Sequence, residues 1–254
     1  LTPAHPGLTL RYIEARLDAA SAVLAQGADA VCVFVNDTVD ASVERYELWE
    51  RDVCEAFVRA PNEPRPGIEY FANTSEADDS TGEWVTVHSV YREALRKLLA
   101  RESIELSDAE QEELTTAWKF LDPWPDTVAG LTTLRQQYTI AALSNADVNA
   151  AVSISRHGNL PWHAVFTAEM AGVFKPDPKI YHLAARYLGY DPAEIMMVAS
   201  HKYDIRAAKA LGFRTAFITR PLEFGARGNP DVSFSDEFDI NAEDFLDLAA
   251  QLVH

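Results

Sequence analysis

The chain has 254 residues, of which 48% are hydrophobic, which is enough for one large globular domain or for a core with a smaller appended domain. Its formal net charge of −17 disfavours binding to nucleic acid or anionic lipid, so an anionic substrate would need a local positive pocket. Since no apolar run is long enough to span a membrane and the N-terminus lacks the layout of a signal peptide, we expect a cytoplasmic protein.

The first 43 residues alternate between strand and helix patterns. LTLRYIEARL predicts a strand, DAASAVLAQ a short helix and ADAVCVFV a second strand. Apart from Asp29 the second strand is apolar, which is typical of a parallel strand covered on both faces of a sheet. It stops at Asn36-Asp37-Thr38, so Asp37 is the first carboxylate after the strand.

Residues 44–126 form a block with helical spacing. ERYELWERDVCEAFVRA and TVHSVYREALRKLLARE repeat apolar residues at helical intervals, and Ser107 with Glu110 makes a capping box. Residues 61–84 are rich in Pro, Gly, Asp and Ser and predict a long exposed loop between these helices.

After residue 126 the α/β alternation returns. YTIAALSN, AVFTAEM, EIMMVAS and RTAFITR predict four further strands with helices between them. The fold class is therefore α/β, with a parallel sheet and helices on its faces.

Polar side chains collect where three of these segments end, and ligands of open parallel sheets bind at the carboxyl ends of the strands. Each cluster also has a simpler interpretation: a helix cap, a solvated turn lysine, or an acid in the first turn of a helix. The clusters are Ser144 with Asn145, Lys175 between an apolar pair and two prolines, and Ser200 with His201 and Asp204.

Taken together and in this order, LSN, KPDPKIY and VASHKYDIRAAKALGF resemble the second, third and fourth motifs of the haloacid dehalogenase superfamily. DPWPDTVAGLTTL and RPLEFG resemble its 2-haloacid dehalogenase branch, so the resemblance covers about residues 44–254. It implies a Rossmann-like core of residues 1–43 and 127–254, with residues 44–126 inserted as a helical cap.

The resemblance also implies a chemistry: an aspartate displaces halide from a small 2-halocarboxylate, and water hydrolyses the resulting ester. The chain would act on a small carboxylate, without a metal or other cofactor, and caps of this kind often accompany homodimers. The implied roles are Asp37 as nucleophile; Lys175, His201 and Asp204 as its catalytic partners; and Ser144, Asn145, Tyr181 and Ser200 around the substrate. Arg51 would face the halide, although the same predicted helix also offers Arg45 and Arg59 for this role.

The first motif differs from the family pattern, in which Asp is followed by two variable residues and Gly-Thr. VFVNDTVD places Phe34 or Val35 at the nucleophile position and offers Asp37 a few residues later. The alternative is therefore a nucleophile-deficient member that binds a small anion or catalyses a non-hydrolytic reaction. Residues 8–43 also resemble the N-terminus of D-lactate dehydrogenases, although the chain has no G-x-G-x-x-G for a dinucleotide.

Overall fold

A computed structural model describes residues 30–33, 84–102, 105–223 and 230–253 of the protein, and of the first range it describes the backbone. Asp37, Arg51, the predicted strand and helix before residue 27, and residues 61–83 of the predicted loop lie outside these ranges.

The described residues form a six-stranded sheet in which every neighbouring pair of strands is parallel, in the order β3-β2-β1-β4-β5-β6. This confirms the predicted α/β class. The strands are β1 (Ala30–Val33), β2 (Thr139–Ser144), β3 (Ala164–Thr167), β4 (Ile195–Ala199), β5 (Arg214–Ile218) and β6 (Ile240–Ala242).

Helices precede the second strand, connect most of the later strands and follow the last one. They are α1 (Val87–Glu102), α2 (Asp108–Thr116), α3 (Thr127–Leu134), α4 (Val148–His157), α5 (Ala168–Ala171), α6 (Pro178–Leu188), α7 (Lys202–Ala210) and α8 (Phe245–Leu252), with 3₁₀ turns at Ala117–Phe120 and Pro192–Glu194. The capping box of Ser107 and Glu110 is present at the start of α2. The division at residues 44 and 126 into core and cap stays a prediction.

Alternate residues of the central strands pack against opposite layers of helices. Ile140 and Ala142 of β2 face the cluster that includes residues of α3, α4 and α8, whereas Ala141 and Leu143 face the cluster with α6 and α7. All four side chains are fully buried, which is why the β2 segment is apolar without alternation.

Two details of the sheet differ from the sequence predictions. AVFTAEM was expected to be strand throughout, but β3 ends at Thr167 because the Thr167 hydroxyl accepts a hydrogen bond from the backbone N–H of Met170 and caps α5. The edge strand β6 was not predicted, since its three residues are too few to show a periodicity.

The strand order places the carboxyl end of β1 in the centre of the sheet. Val33 pairs with Ala142 of β2 on one side and Val198 of β4 on the other. The connections from these neighbouring strands diverge here, and such a crevice is the usual ligand site of an open parallel sheet. Separately, no described helix is both long and apolar enough to cross a membrane.

Helices α3 and α8 approach so closely that only glycine fits at residue 130. A Cβ on Gly130 would lie 2.3 Å from the Cβ of Phe245 and 2.8 Å from the Phe245 carbonyl oxygen. Helix propensity alone predicts that Gly130→Ala stabilises the protein by about 1 kcal/mol. We instead expect a loss of about 1–3 kcal/mol in the free energy of unfolding, because the helices must separate.

Denaturant unfolding measures this difference, with the exposed neighbour Ala129 as the control. Ala129→Gly should cost no more than about 1 kcal/mol, the propensity difference alone. A Gly130→Ala variant more stable than the wild type would contradict the close packing of α3 on α8.

Candidate active site

The side chain of Asn145 holds the backbone of Lys175 at two points. Its Oδ1 accepts the backbone N–H of Lys175 at 2.6 Å, and its Nδ2 donates to the Lys175 carbonyl at 3.2 Å. Asn145 is buried and follows directly on β2, so the turn after β3 is fixed to the end of the neighbouring strand. The alternative role of Ser144-Asn145 as a helix cap does not apply, because Asp147 occupies the N-cap of α4.

Lys175 and Asp204 form an ion pair that is completely buried. The Lys175 Nζ lies 2.5 Å from Asp204 Oδ2, and neither side chain is exposed. Asp204 is thus more than a first-turn acid of α7, and Lys175 is not a solvated turn lysine. Both simpler interpretations are excluded by this contact.

The second carboxylate oxygen of Asp204 accepts a short hydrogen bond from the Tyr181 hydroxyl. Burial first, and the negative charge of Asp204 second, raise the pKa of Tyr181 far above its usual value, so the phenol stays protonated as the donor. The predicted role of Tyr181 beside a substrate stays a prediction. Its described hydrogen bond is with Asp204.

Ser144 brings a buried hydroxyl to the same edge of the sheet. Its side chain is fully buried at the end of β2, and its Oγ has no hydrogen-bond partner among the described residues. An unpaired buried hydroxyl is costly unless a ligand or water satisfies it, which fits a substrate contact.

His201 contacts Glu223, a residue for which no role was predicted. Its Nε2 lies 2.7 Å from Oε1 of Glu223. Both residues, together with Ser200, line a cavity of about 220 Å³ beyond the ends of β4 and β5. Glu223 belongs to the RPLEFG segment, and that match to the family branch was the only available signal for it.

The helical block is tied to the same edge of the core through Asp147, two residues after Asn145. The two oxygens of Asp147 accept the backbone N–H groups of Val87 and His88, each at 2.8 Å, at the start of α1. Trp84 also stacks on Phe174, the neighbour of Lys175, with 4.6 Å between ring centroids. Sequence spacing gave no signal for either contact.

The structure thus joins four of the predicted residues in one network: Asn145, Lys175, Tyr181 and Asp204. Ser144 lies at the same sheet edge, and Ser200 with His201 borders the neighbouring cavity. The predictions for Asp37 and Arg51 fall outside the described residues.

Comparison with known proteins decides the family. A sequence model described as haloacid dehalogenase-like hydrolase matches residues 18–212, more than half of the chain. The chain belongs to the haloacid dehalogenase-like hydrolases. The resemblance of residues 8–43 to D-lactate dehydrogenases finds no support, since the family match already begins within that segment.

Among curated relatives, an (S)-2-haloacid dehalogenase 4A of Burkholderia cepacia is 32% identical over 142 residues, covering 54% of this chain and 58% of the relative. An (S)-2-haloacid dehalogenase of Pseudomonas fluorescens is 27% identical over 142 residues, which cover 55% of this chain and 63% of the relative. The chain therefore spans about three fifths of the length of these relatives.

A solved L-2-haloacid dehalogenase is 33% identical, with a TM-score of 0.74, and the match covers 89% of this chain and 98% of that protein. A defluorinating L-2-haloacid dehalogenase is 32% identical, with a TM-score of 0.70, and the match covers 89% of this chain and 96% of that protein. These structures confirm the Rossmann-like core proposed from the sequence motifs.

The hydrogen bond from Tyr181 to Asp204 makes stability sensitive to high pH. Because the pKa of Tyr181 is raised in the folded protein, its contribution is complete below the unfolded tyrosine pKa of about 10 and is lost as the pH rises above it. We expect Tyr181→Phe to lower the free energy of unfolding by about 1.5–3 kcal/mol at pH 7. This difference from the wild type should shrink above pH 10.

Unfolding measured at several pH values between 7 and 11 gives this comparison, with Tyr187→Phe as the control on the same helix. Tyr187 is 65% exposed and should show little effect at any pH. A difference between Tyr181→Phe and wild type that is constant up to pH 11 would refute the proposed linkage.

Proposed function

We propose that the protein is a hydrolase of the 2-haloacid dehalogenase type, which displaces halide from a small 2-halocarboxylate through an aspartyl-ester intermediate. The observation that supports this most strongly is the buried Lys175–Asp204 pair, clamped by Asn145 at the sheet edge where β1 ends. An ammonium held rigidly at this point can neutralise a carboxylate nucleophile and keep it oriented.

Three helix N-termini add positive potential at this edge. Helix α4 begins just after Ser144-Asn145, α6 three residues after Lys175, and α7 just after His201. The N-terminus of a helix favours anions through its dipole, and at α4 and α6 the N–H groups of Val148 and Lys179 already donate to the carboxylates of Glu169 and Asp177. This arrangement supports a small carboxylate as substrate, held by Ser144 and Asn145 as the resemblance implies.

The names of the relatives support the same substrate class. The matched curated proteins are (S)-2-haloacid dehalogenases, and two solved structures above 30% identity are L-2-haloacid dehalogenases, one of them defluorinating. We therefore propose the (S)-enantiomers of small 2-halocarboxylates as substrates, with chloride, bromide and fluoride as leaving groups to be compared.

The proposed nucleophile is Asp37, since it is the first carboxylate after Val33 and lies four residues beyond the last described residue of the central strand. Attack of its oxygen on the halogen-bearing carbon forms the ester and releases halide. Water then hydrolyses the ester and regenerates the carboxylate. Arg51 stays our proposed halide contact from the helical block.

A second candidate function follows from the sequence after β1. FVNDTVD carries no acid at Phe34 or Val35, the positions that the family motif assigns to the nucleophile. A chain that lacks the nucleophile would keep the anion site of Ser144, Asn145 and Lys175 and bind a carboxylate without releasing halide.

We expect the purified chain to release halide from (S)-2-chloropropionate, and Lys175→Met to abolish this release by at least about 100-fold, because the nucleophile loses its counter-charge. The matched control is Lys179→Met, four residues along the chain and exposed, which should retain full activity. Ion chromatography measures the halide. Release that survives in Lys175→Met would contradict the proposed site.

Asp37→Asn separates the two candidate functions. The hydrolase predicts complete loss of halide release with the carboxylate ligand still bound, as measured by calorimetry. A wild-type chain that binds 2-chloropropionate but releases no halide would instead support the nucleophile-deficient alternative.

A further inference from the structure

Asp147 occupies the N-cap of α4, yet its carboxylate makes no capping hydrogen bond to that helix. Its two oxygens instead accept the backbone N–H groups of Val87 and His88, each at 2.8 Å, at the start of α1. The N–H of Val148, the first residue of α4, donates to Glu169 Oε2 at 2.6 Å. Asp147 is therefore a carboxylate of the core that serves another helix, and Glu169 takes its place at α4.

The start of α1 depends on this contact. Helix α1 has no acidic residue in its first turn, so Asp147 supplies the negative charge that a helix N-terminus favours. The Thr86 hydroxyl accepts the N–H of Ser89 at 3.1 Å and completes the capping of the turn. Asp147 is only 6% exposed, and hydrogen bonds to an ionised carboxylate are stronger than neutral ones. The core thus fixes where α1 begins.

The chain just before α1 is fastened to the core a second time. Trp84 stacks on Phe174, with 4.6 Å between ring centroids and 28° between ring planes. Phe174 directly precedes Lys175, whereas Asp147 lies two residues after Asn145. Three peptide units span at most about 11 Å, so the chain crosses by a short path from one fastening to the other. It joins the turn that carries Lys175 to the loop that carries Asn145.

Residues 84–88, the bridging segment, cross the carboxyl edge of the sheet from one helix layer to the other. Trp84 packs against the hydrophobic cluster with α6 and α7, whereas Val87 belongs to the cluster that includes residues of α3, α4 and α8. The hydrogen bonds between Asn145 and the Lys175 backbone connect the same two loops. The bridging segment therefore lies against the site that we propose for the substrate.

We infer that the bridging segment is a wall that limits the size of the substrate, and that Asp147 is a positioning residue that holds this wall in place. This inference rests on the proposed function. Asp147 acts through the backbone of Val87 and His88 and takes no part in the displacement of halide or the hydrolysis of the ester. Its effect is on which 2-halocarboxylates fit.

A wall that is fastened at both ends resists displacement by a longer substrate. To move it, the substrate must separate the buried carboxylate of Asp147 from its two donors or unstack Trp84 from Phe174. A buried charge left without hydrogen-bond partners is strongly unfavourable. One methylene group against a pocket wall typically changes kcat/KM by about 10–200-fold. The fastened wall therefore favours short alkyl groups on the substrate.

The experiment measures kcat/KM for halide release from (S)-2-chloropropionate and from (S)-2-chlorohexanoate and takes the ratio of the two. This ratio does not depend on the amount of folded enzyme, so a loss of stability alone leaves it unchanged. We expect Asp147→Ala to lower the preference for the shorter substrate by about tenfold. Asp147→Asn keeps one acceptor oxygen and should lower it by about threefold.

The matched control is Glu169→Ala, which removes the neighbouring carboxylate that serves the N-terminus of α4 within the core. It should lower stability and leave the ratio at its wild-type value. A wild-type ratio in both Asp147 variants, or an equal shift in Glu169→Ala, overturns the inference while leaving the dehalogenase function intact. Absence of halide release from the wild type overturns both. Asp147→Asn carries the decision if Asp147→Ala does not fold.

Discussion

The arrangement of this site depends on keeping the Lys175–Asp204 pair out of water. Removing an ammonium and a carboxylate from water costs several kcal/mol for each ion, and their attraction offsets this only when the geometry is good and the remaining hydrogen bonds are made. Tyr181 supplies one such bond to Asp204, and Asn145 fixes the backbone of Lys175. The sheet order makes this possible, because it brings the loops after β2, β3 and β4 to one edge.

Much of this could be predicted from the sequence, because the determining features are local. The apolar runs at Ile140–Leu143 and Ile195–Ala199 are buried on both faces of the sheet and read directly as strands. Polar residues that follow such runs must lie at the carboxyl edge of a parallel sheet. The predicted grouping of Asn145, Lys175 and Asp204 required no more than this rule and the family motifs.

The rest could not be predicted, because it consists of contacts between segments far apart in the chain. Asp147 holds a helix that begins 60 residues earlier, and Arg220 holds Asp126 across 94 residues. A periodicity shows which face of an element is buried, but it does not show which loop meets which. The contact of Glu223 could not be predicted for the same reason. In the sequence it is an acid in a Pro-containing turn, which is typical of a solvated charge, and only the fold brings it beside His201.

The pairing of charges around the crevice bears on what anion it can select. Lys175, Lys202 and Arg220 each have a carboxylate partner, Asp204, Asp231 and Asp126 respectively, so these described pairs add no net charge to the crevice. The attraction for an anion then comes from the Lys175 ammonium, whose charge Asp204 offsets, together with hydroxyl and amide donors and the N-terminus of α7, which amount to fractional positive charge. Such a field suits a monoanion such as a small carboxylate. A phosphate dianion would need an additional cation, and in a chain with a net charge of −17 it would also meet stronger long-range repulsion.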